Sequence, residues 1–486
     1  MRSRALLALT LLLAAPLLAG CLTPAGTEEA PVVLVPQLPA LPEFLPVVAM
    51  DQPTSGAEPN IAILPDGTIF ITAVAGSQEK PNAREGAAWL WRSKDGGTTW
   101  ETLRQPQRDT PLGTPTAPNT RRPFGSSDAD VVASPDGWVY YSDWWLVRAP
   151  VFAPGVPTPS GGNYLVERSN DGGDTWESTS VTIPDATDVD RQWLLAGPDG
   201  WVGLFYAYFH PVENRVGSVQ GTFVMSIKAV YSKDYGATWS DAFTVVPTVE
   251  NHAYQISHPR LLPDGTIVMA YADITSTDDA GADPGAVKLA VSVDQGLTWE
   301  QRHVADVPLG FDNLWAVQAT TTPQGGTTVV WAAHDTNDTI SIHVADSLDA
   351  GRTWTPPTLV QGGGLHFLPW AAADRNGRVA LGWYGGNATG KPEEAPEDTL
   401  WHAYVAVRDT LNGEWAVSPV SPDPVKVGPL CPKGAACSAN RELLDYVSLD
   451  YGPDGRLHYA FARSRVIDSA PAPVGHVHYA GEAPLV

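Results

Sequence analysis

The chain has 486 residues, and its 54 Asp and Glu outweigh 30 Lys and Arg for a formal net charge of −24. Such an acidic balance argues against a nucleic-acid partner, which needs a basic stripe, and fits a soluble, self-repelling surface. It names no ligand by itself.

In chain order the first element is an export signal. Arg2 and Arg4 precede an apolar run over residues 5–18, and small residues follow. A basic start, a short apolar core and a small-residue cut site read as a secretory signal over residues 1–20. The run is shorter than the roughly 20 residues a membrane helix needs. Leu18-Ala19-Gly20-Cys21 resembles the lipobox of prokaryotic lipoproteins, which implies cleavage before Cys21 and lipidation of its sulfur. Residues 21–44 are rich in proline and lack helical or strand periodicity, so they read as a semi-stiff tether. The domain proper is expected over residues 45–486, on the extracytoplasmic side of a bacterial or archaeal envelope. Of the two remaining cysteines, Cys431 and Cys437, an exported chain would make a small loop-tightening disulfide, with free thiols the alternative.

Two signals repeat along that domain. The first is a period-two apolar alternation around a glycine turn, as in NIAILPDGTIFITAV from Asn60 and RLLPDGTIVMAYAD from Arg260. Further copies begin at Asp130, Trp193, Ala316, Trp370 and Tyr446. The second is an octet, SKDGGTTW from Ser93, repeated from Ser169, Ser232, Ser292 and Ser347. A worn version, RDTLNGEW, starts at Arg408. Units of four strands recurring at about 60 residues predict an all-β fold, a β-propeller of four-stranded blades. Seven hairpins predict seven blades, with six the competing count. LPVVAM from Leu45 is expected to complete the last blade and close the ring.

The octet S-x-D-x-G-x-T-W resembles the Asp-box, or BNR repeat, of sialidase-superfamily propellers. Turn chemistry accounts for every residue in it. Serine and aspartate oxygens accept backbone N–H bonds, glycine permits positive φ, and the tryptophan re-enters the next strand. In the enzymes it resembles, the Asp-box lies on the face away from the active site.

A propeller of this kind brings the starts of its innermost strands together at the opposite mouth of the channel. Those positions are Glu58 and Asn60, Asp128 and Asp130, Asp190, Arg191 and Trp193, and His258 and Arg260. The later blades add Asn313 and Trp315, His366 and Trp370, and Arg441, Glu442, Asp445 and Tyr446. Aromatics beside carboxylates and arginines suit a glycan or another polar ligand, with Trp193, His258, Trp315, His366 and Trp370 among its contacts. Salt bridges across a crowded channel and rings wedged between blades are the structural alternative for the same residues. Neither His258 nor His366 stands in a metal-binding spacing, and no cofactor is expected.

The sialidase resemblance implies an arginine trio for a substrate carboxylate, here Arg191, Arg260 and Arg441. It implies Tyr446 as nucleophile with Glu442 as partner, and Asp128 as acid, one of the exceptions to the two-carboxylate scheme. The stretch where that family carries its first arginine reads Glu58-Pro59-Asn60. The reading is therefore a glycan-binding propeller, an exo-sialidase-like glycoside hydrolase if it is an enzyme. A protein-binding or envelope-assembly scaffold is the alternative.

Overall fold

The Pro-Asp-Gly stretches make the tight turns that their chemistry demands. In the first, Gly67 N–H donates to Leu64 O at 2.9 Å, and Asp66 Oδ1 accepts from Thr68 N–H at 2.8 Å. Gly67 holds φ at +89°, where only glycine is unstrained. These features belong to a computed structural model that describes residues 38–53, 55–74, 88–104, 128–145, 162–183, 188–210, 225–250, 252–275, 283–311, 317–335, 338–411, 413–432, 437, 439–443, 445–466 and 473–484. Cys21, Asn313 and Trp315 lie outside the described residues.

The described strands are antiparallel and fall into seven sets of four, the fourth and sixth each with a short extra piece. The first set is Ala57–Ile63, Ile69–Val74, Trp89–Ser93 and Glu101–Arg104, hydrogen-bonded in that order. A single parallel bridge, Ile340 to Leu365, joins the fifth and sixth sets into one sheet. In the last set Val48–Ala49 pairs with Val474–Gly481, so the beginning of the domain supplies the outer strand of its end.

Innermost strands pack against those of neighbouring sets. Ala57–Ile63 lies between Ala129–Ala133 and Ser448–Tyr451, and Leu365–Ala373 lies between Val317–Thr321 and Ser448–Tyr451. The packing thus returns to its starting strand, the arrangement of a β-propeller. Second strands such as IFITAV over Ile69–Val74 are buried along their whole length. Both faces of each sheet are covered by a neighbour, so such strands are continuously apolar rather than alternating. Outer strands such as Thr358–Gln361 are half-exposed or exposed.

The octets sit between third and fourth strands and are self-contained. In each of the five, the serine hydroxyl bonds the aspartate, and the following glycine N–H bonds the serine Oγ. The aspartate also accepts from the threonine N–H and hydroxyl, as Asp349 does from Thr353 at 2.8 and 2.7 Å. Four of the five octets are then gripped by the preceding set. Arg92 donates to Gly172 O at 2.8 Å, Arg168 to Tyr235 O at 2.8 Å and Arg302 to Ala350 O at 2.6 Å. Tyr479 donates to Gly96 O at 3.3 Å across the closure of the ring. The octet is a clasp between blades.

Candidate functional site at the channel

Three innermost strands break register just where the charged residues enter. The shifts fall between Ala57 and Asn60, between Asp190 and Trp193, and between Phe367 and Trp370. At each break one non-glycine residue takes a left-handed conformation: Glu58 at φ +52°, Arg191 at +51° and Leu368 at +59°. Such φ values cost of order 1 kcal/mol or more and persist where the surroundings hold them, often at functional sites. Here they turn Glu58 and Arg191 into the channel.

Arg191 is the hub. Its Nη2 donates to Asp445 Oδ2 at 2.7 Å, and its Nη1 lies 3.8 Å from Glu58 Oε2. The Arg441 Nη2 meets the same Asp445 oxygen at 2.7 Å. The Asp445 N–H donates to Glu58 Oε1 at 3.1 Å, and Asp128 Oδ2 accepts from the Arg191 N–H at 3.1 Å. Arg191, Glu58 and Asp445 are each at most 4 % exposed.

That burial shifts Glu58 and Arg191. Desolvation pushes the Glu58 carboxyl well above the ordinary carboxylate range, against the pull of Arg191 and with the help of the Asp445 and Asp128 charges. Burial also opposes the charge of Arg191, yet Glu58, Asp128 and Asp445 hold its guanidinium raised. The contact geometry agrees: Asp445 is the close counter-ion, and the more distant Glu58 is the carboxyl whose pKa burial raises.

Aromatic rings line the other side. Tyr446 stacks on Trp370 with centroids 5.6 Å apart, and Trp193 meets both edge-on at 5.3 and 5.8 Å. The Arg191 guanidinium lies 5.3 Å from the centre of the Tyr446 ring. Tyr446 is buried, and among the described residues its hydroxyl has no hydrogen-bond partner. Burial, then the nearby Glu58 and Asp128 charges, push its phenol well above the usual value.

A second node ties five blades together. Asp130 accepts from Asn60 Nδ2 and from the Leu194 N–H at 2.6 Å, and its Oδ2 lies 3.3 Å from His258 Nε2. Ser448 Oγ reaches Asn60 Oδ1 at 3.1 Å. Arg260 Nη1 lies 2.5 Å from His258 Nδ1, which also stands 3.1 Å from Pro259 O, while Nε2 faces Asp130.

The sequence-derived residues thus separate into groups. Asp128, Arg191, Trp193, Arg441, Tyr446 and Trp370 come together, and His258 packs beside Trp193 at 5.4 Å. Arg260 turns instead to His258 and to Ala371 O at 3.3 Å. Glu442 accepts from Lys426 Nζ and Ser464 Oγ; the carboxyl beside Tyr446 is Glu58. His366 accepts from Trp383 Nε1 at 3.1 Å. Cys431 and Cys437 form a disulfide, with sulfurs 2.08 Å apart, in the segment that leads to Arg441. Glu58 and Asp445, which sequence reasoning placed at strand starts without giving them a role, occupy the centre. Among the described residues no group of three or more His, Cys, Asp or Glu is placed to hold a metal ion.

Residues 193–363 match the BNR repeat-like domain. A sialidase of Bacteroides fragilis is 24% identical over 285 residues, 55% of this chain and 48% of the relative, so the chain spans about half the length of that curated relative. Among solved structures, a protein of unknown function from Dyadobacter fermentans is 16% identical with a TM-score of 0.45, covering 90% of this chain and 97% of its own. An alpha-L-arabinanase of Penicillium chrysogenum, complexed with arabinobiose, is 17% identical with a TM-score of 0.46, covering 76% of this chain and 99% of its own. With five Asp-box clasps on a ring of four-stranded sheets, the chain is an Asp-box β-propeller, similar over residues 193–363 to the BNR repeat-like domain.

Proposed function

We propose that the channel cluster binds a glycan and hydrolyses a glycosidic bond, as a domain exported and lipid-anchored through Cys21. The observation that carries this reading is the Tyr446 hydroxyl, buried and without a hydrogen-bond partner among the described residues, on a ring flanked by Trp370, Arg191 and Glu58. A buried polar group left unpaired costs about 1–3 kcal/mol, which a bound hydroxyl would recover.

The chemistry follows from the surroundings. Glu58, whose carboxyl burial pushes well above the ordinary range, is suited to donate a proton to a departing glycosidic oxygen. Asp128 supplies a second carboxyl for the positive charge that develops at the sugar carbon; a water molecule then attacks that carbon and its proton returns to Glu58. Tyr446 and Trp370 offer a stacked apolar surface to the C–H face of a ring, and Arg191 holds Glu58, Asp128 and Asp445 in one arrangement. The curated sialidase relative fits a glycoside-cleaving role.

The test is turnover of a panel of aryl glycosides and glycans by the full chain in detergent. Tyr446→Phe, Glu58→Gln and Asp128→Asn should each remove it while thermal unfolding stays cooperative. Unchanged turnover in all three variants would dismiss these residues.

A further inference from the structure

Resting on the glycan-site reading, we infer that the channel selects uncharged glycans and rejects sugars that carry a carboxylate. The first ground is what the arginines are doing. Arg191 and Arg441 both place Nη2 on one oxygen, Asp445 Oδ2, at 2.7 Å. Arg260 gives its donors to His258 Nδ1 and to the carbonyls of Pro259 and Ala371. A ligand carboxylate would have to displace Asp445, leaving a buried carboxylate without its counter-ions, a change that costs several kcal/mol.

The second ground is what the site leaves open. Among the described residues, Asp445 Oδ1 and Gln192 Oε1 are buried acceptors without a hydrogen-bond partner, beside the open hydroxyl of Tyr446. Gln192 directly follows Arg191 and donates its own amide N–H to Asp128 O, which keeps that acceptor in the cluster. Open acceptors ask for donors. Sugar hydroxyls supply them; a carboxylate supplies none.

Charge points the same way. Glu58, Asp128, Asp190 and Asp445 crowd Arg191, and Asp130 lies 3.3 Å from the neighbouring His258. A further anion in this low-dielectric surrounding would meet more repulsion than attraction.

The experiment compares matched ligands on the full chain in detergent. Aryl glycosides of uncharged pentoses and hexoses are set against the corresponding uronides and an aryl sialoside, by turnover and by competition binding. The uncharged set should be favoured by about tenfold or more, the scale of one unpaired buried group. Asp445→Asn, which releases Arg191 and Arg441, should shift the preference toward the carboxylated set by a similar factor. Equal or better use of the carboxylated sugars by the wild-type chain overturns the inference while sparing the glycan site. Retention of no sugar of either kind overturns both. The wild-type comparison decides even if Asp445→Asn does not fold.

Discussion

Arg191 and Asp445 stand 254 residues apart in the chain and meet at 2.7 Å between Nη2 and Oδ2, with almost no solvent on either side chain. The pair joins the third and the last blades across the channel. It also fixes the charge of its neighbours. Asp445 takes the close position on Arg191 and leaves Glu58 at 3.8 Å, where burial, and then the Asp445 charge against the pull of Arg191, raises the Glu58 carboxyl. One ion pair therefore bridges the ring centre and bears on the carboxyl proposed as the acid.

Removing one partner should be far costlier than removing both. Asp445→Ala leaves Arg191 and Arg441 without their shared carboxylate, and the loss should be about 3–5 kcal/mol, seen as a lower denaturation midpoint. Replacing Arg191 and Asp445 together by apolar residues of similar volume should recover much of that stability. Equal losses in the single and double variants would mean that the pair has no particular role in holding the fold.

The Asp-box clasps should affect stability without affecting turnover. Asp349 accepts from the Ser347 and Thr353 hydroxyls and from the Thr353 N–H, all within one exposed turn. Asp349→Ala should cost about 1–2 kcal/mol, the scale of a lost side-chain cap, and leave the kinetic constants as they were. A fall in kcat with unchanged stability would place chemistry on this face.

These two tests mark what the chain makes legible. The octets and Pro-Asp-Gly turns are local, since each aspartate bonds N–H groups within four residues, so sequence alone reveals them and the repeat they punctuate. The strand starts could also be assigned to the channel. Which carboxyl faces Tyr446 could not. Glu442 and Asp445 lie on one short segment, and only the folded path sends Glu442 to Lys426 and Asp445 to Arg191. The register breaks that turn Glu58 and Arg191 inward have positive φ at non-glycine residues, which no local motif announces.

The export reading has its own test. On the proposed lipid anchor, Cys21 follows the signal's cut site, so Cys21→Ser should block lipidation. The wild-type chain should take up labelled fatty acid and partition into detergent, whereas the variant should do neither. Labelling that is independent of Cys21 would refute the anchor.

Stability should fall as the solution is acidified below neutrality. Burial holds His366, His458, His476 and His478 down at about 4, from an ordinary value of 6.5. Between those values the unfolded chain binds protons that the folded chain refuses, so stability is lost from about pH 6.5 down to about pH 4 and then levels. Glu58 has the opposite sign, losing stabilisation as pH rises through its raised value. His366 accepts from Trp383 Nε1, so His366→Gln keeps an acceptor and should flatten the acid slope by up to about 3 kcal/mol. An unchanged slope would show that this ring titrates as it does in water.

Glu58 should also govern the upper limb of the pH–rate profile. An acid that donates to a leaving oxygen works only while protonated, so the rate falls as pH rises through its pKa. Burial places that point well above the ordinary 4.5, and the Asp445 and Asp128 charges add to the shift against the pull of Arg191. Glu58→Gln keeps the shape and removes the proton, so turnover should drop by about 10²–10⁴ and the descending limb should vanish. Asp445→Asn removes one of the charges that raise Glu58, and the limb should move to lower pH in that variant. A limb unmoved by both substitutions would assign the proton to another residue.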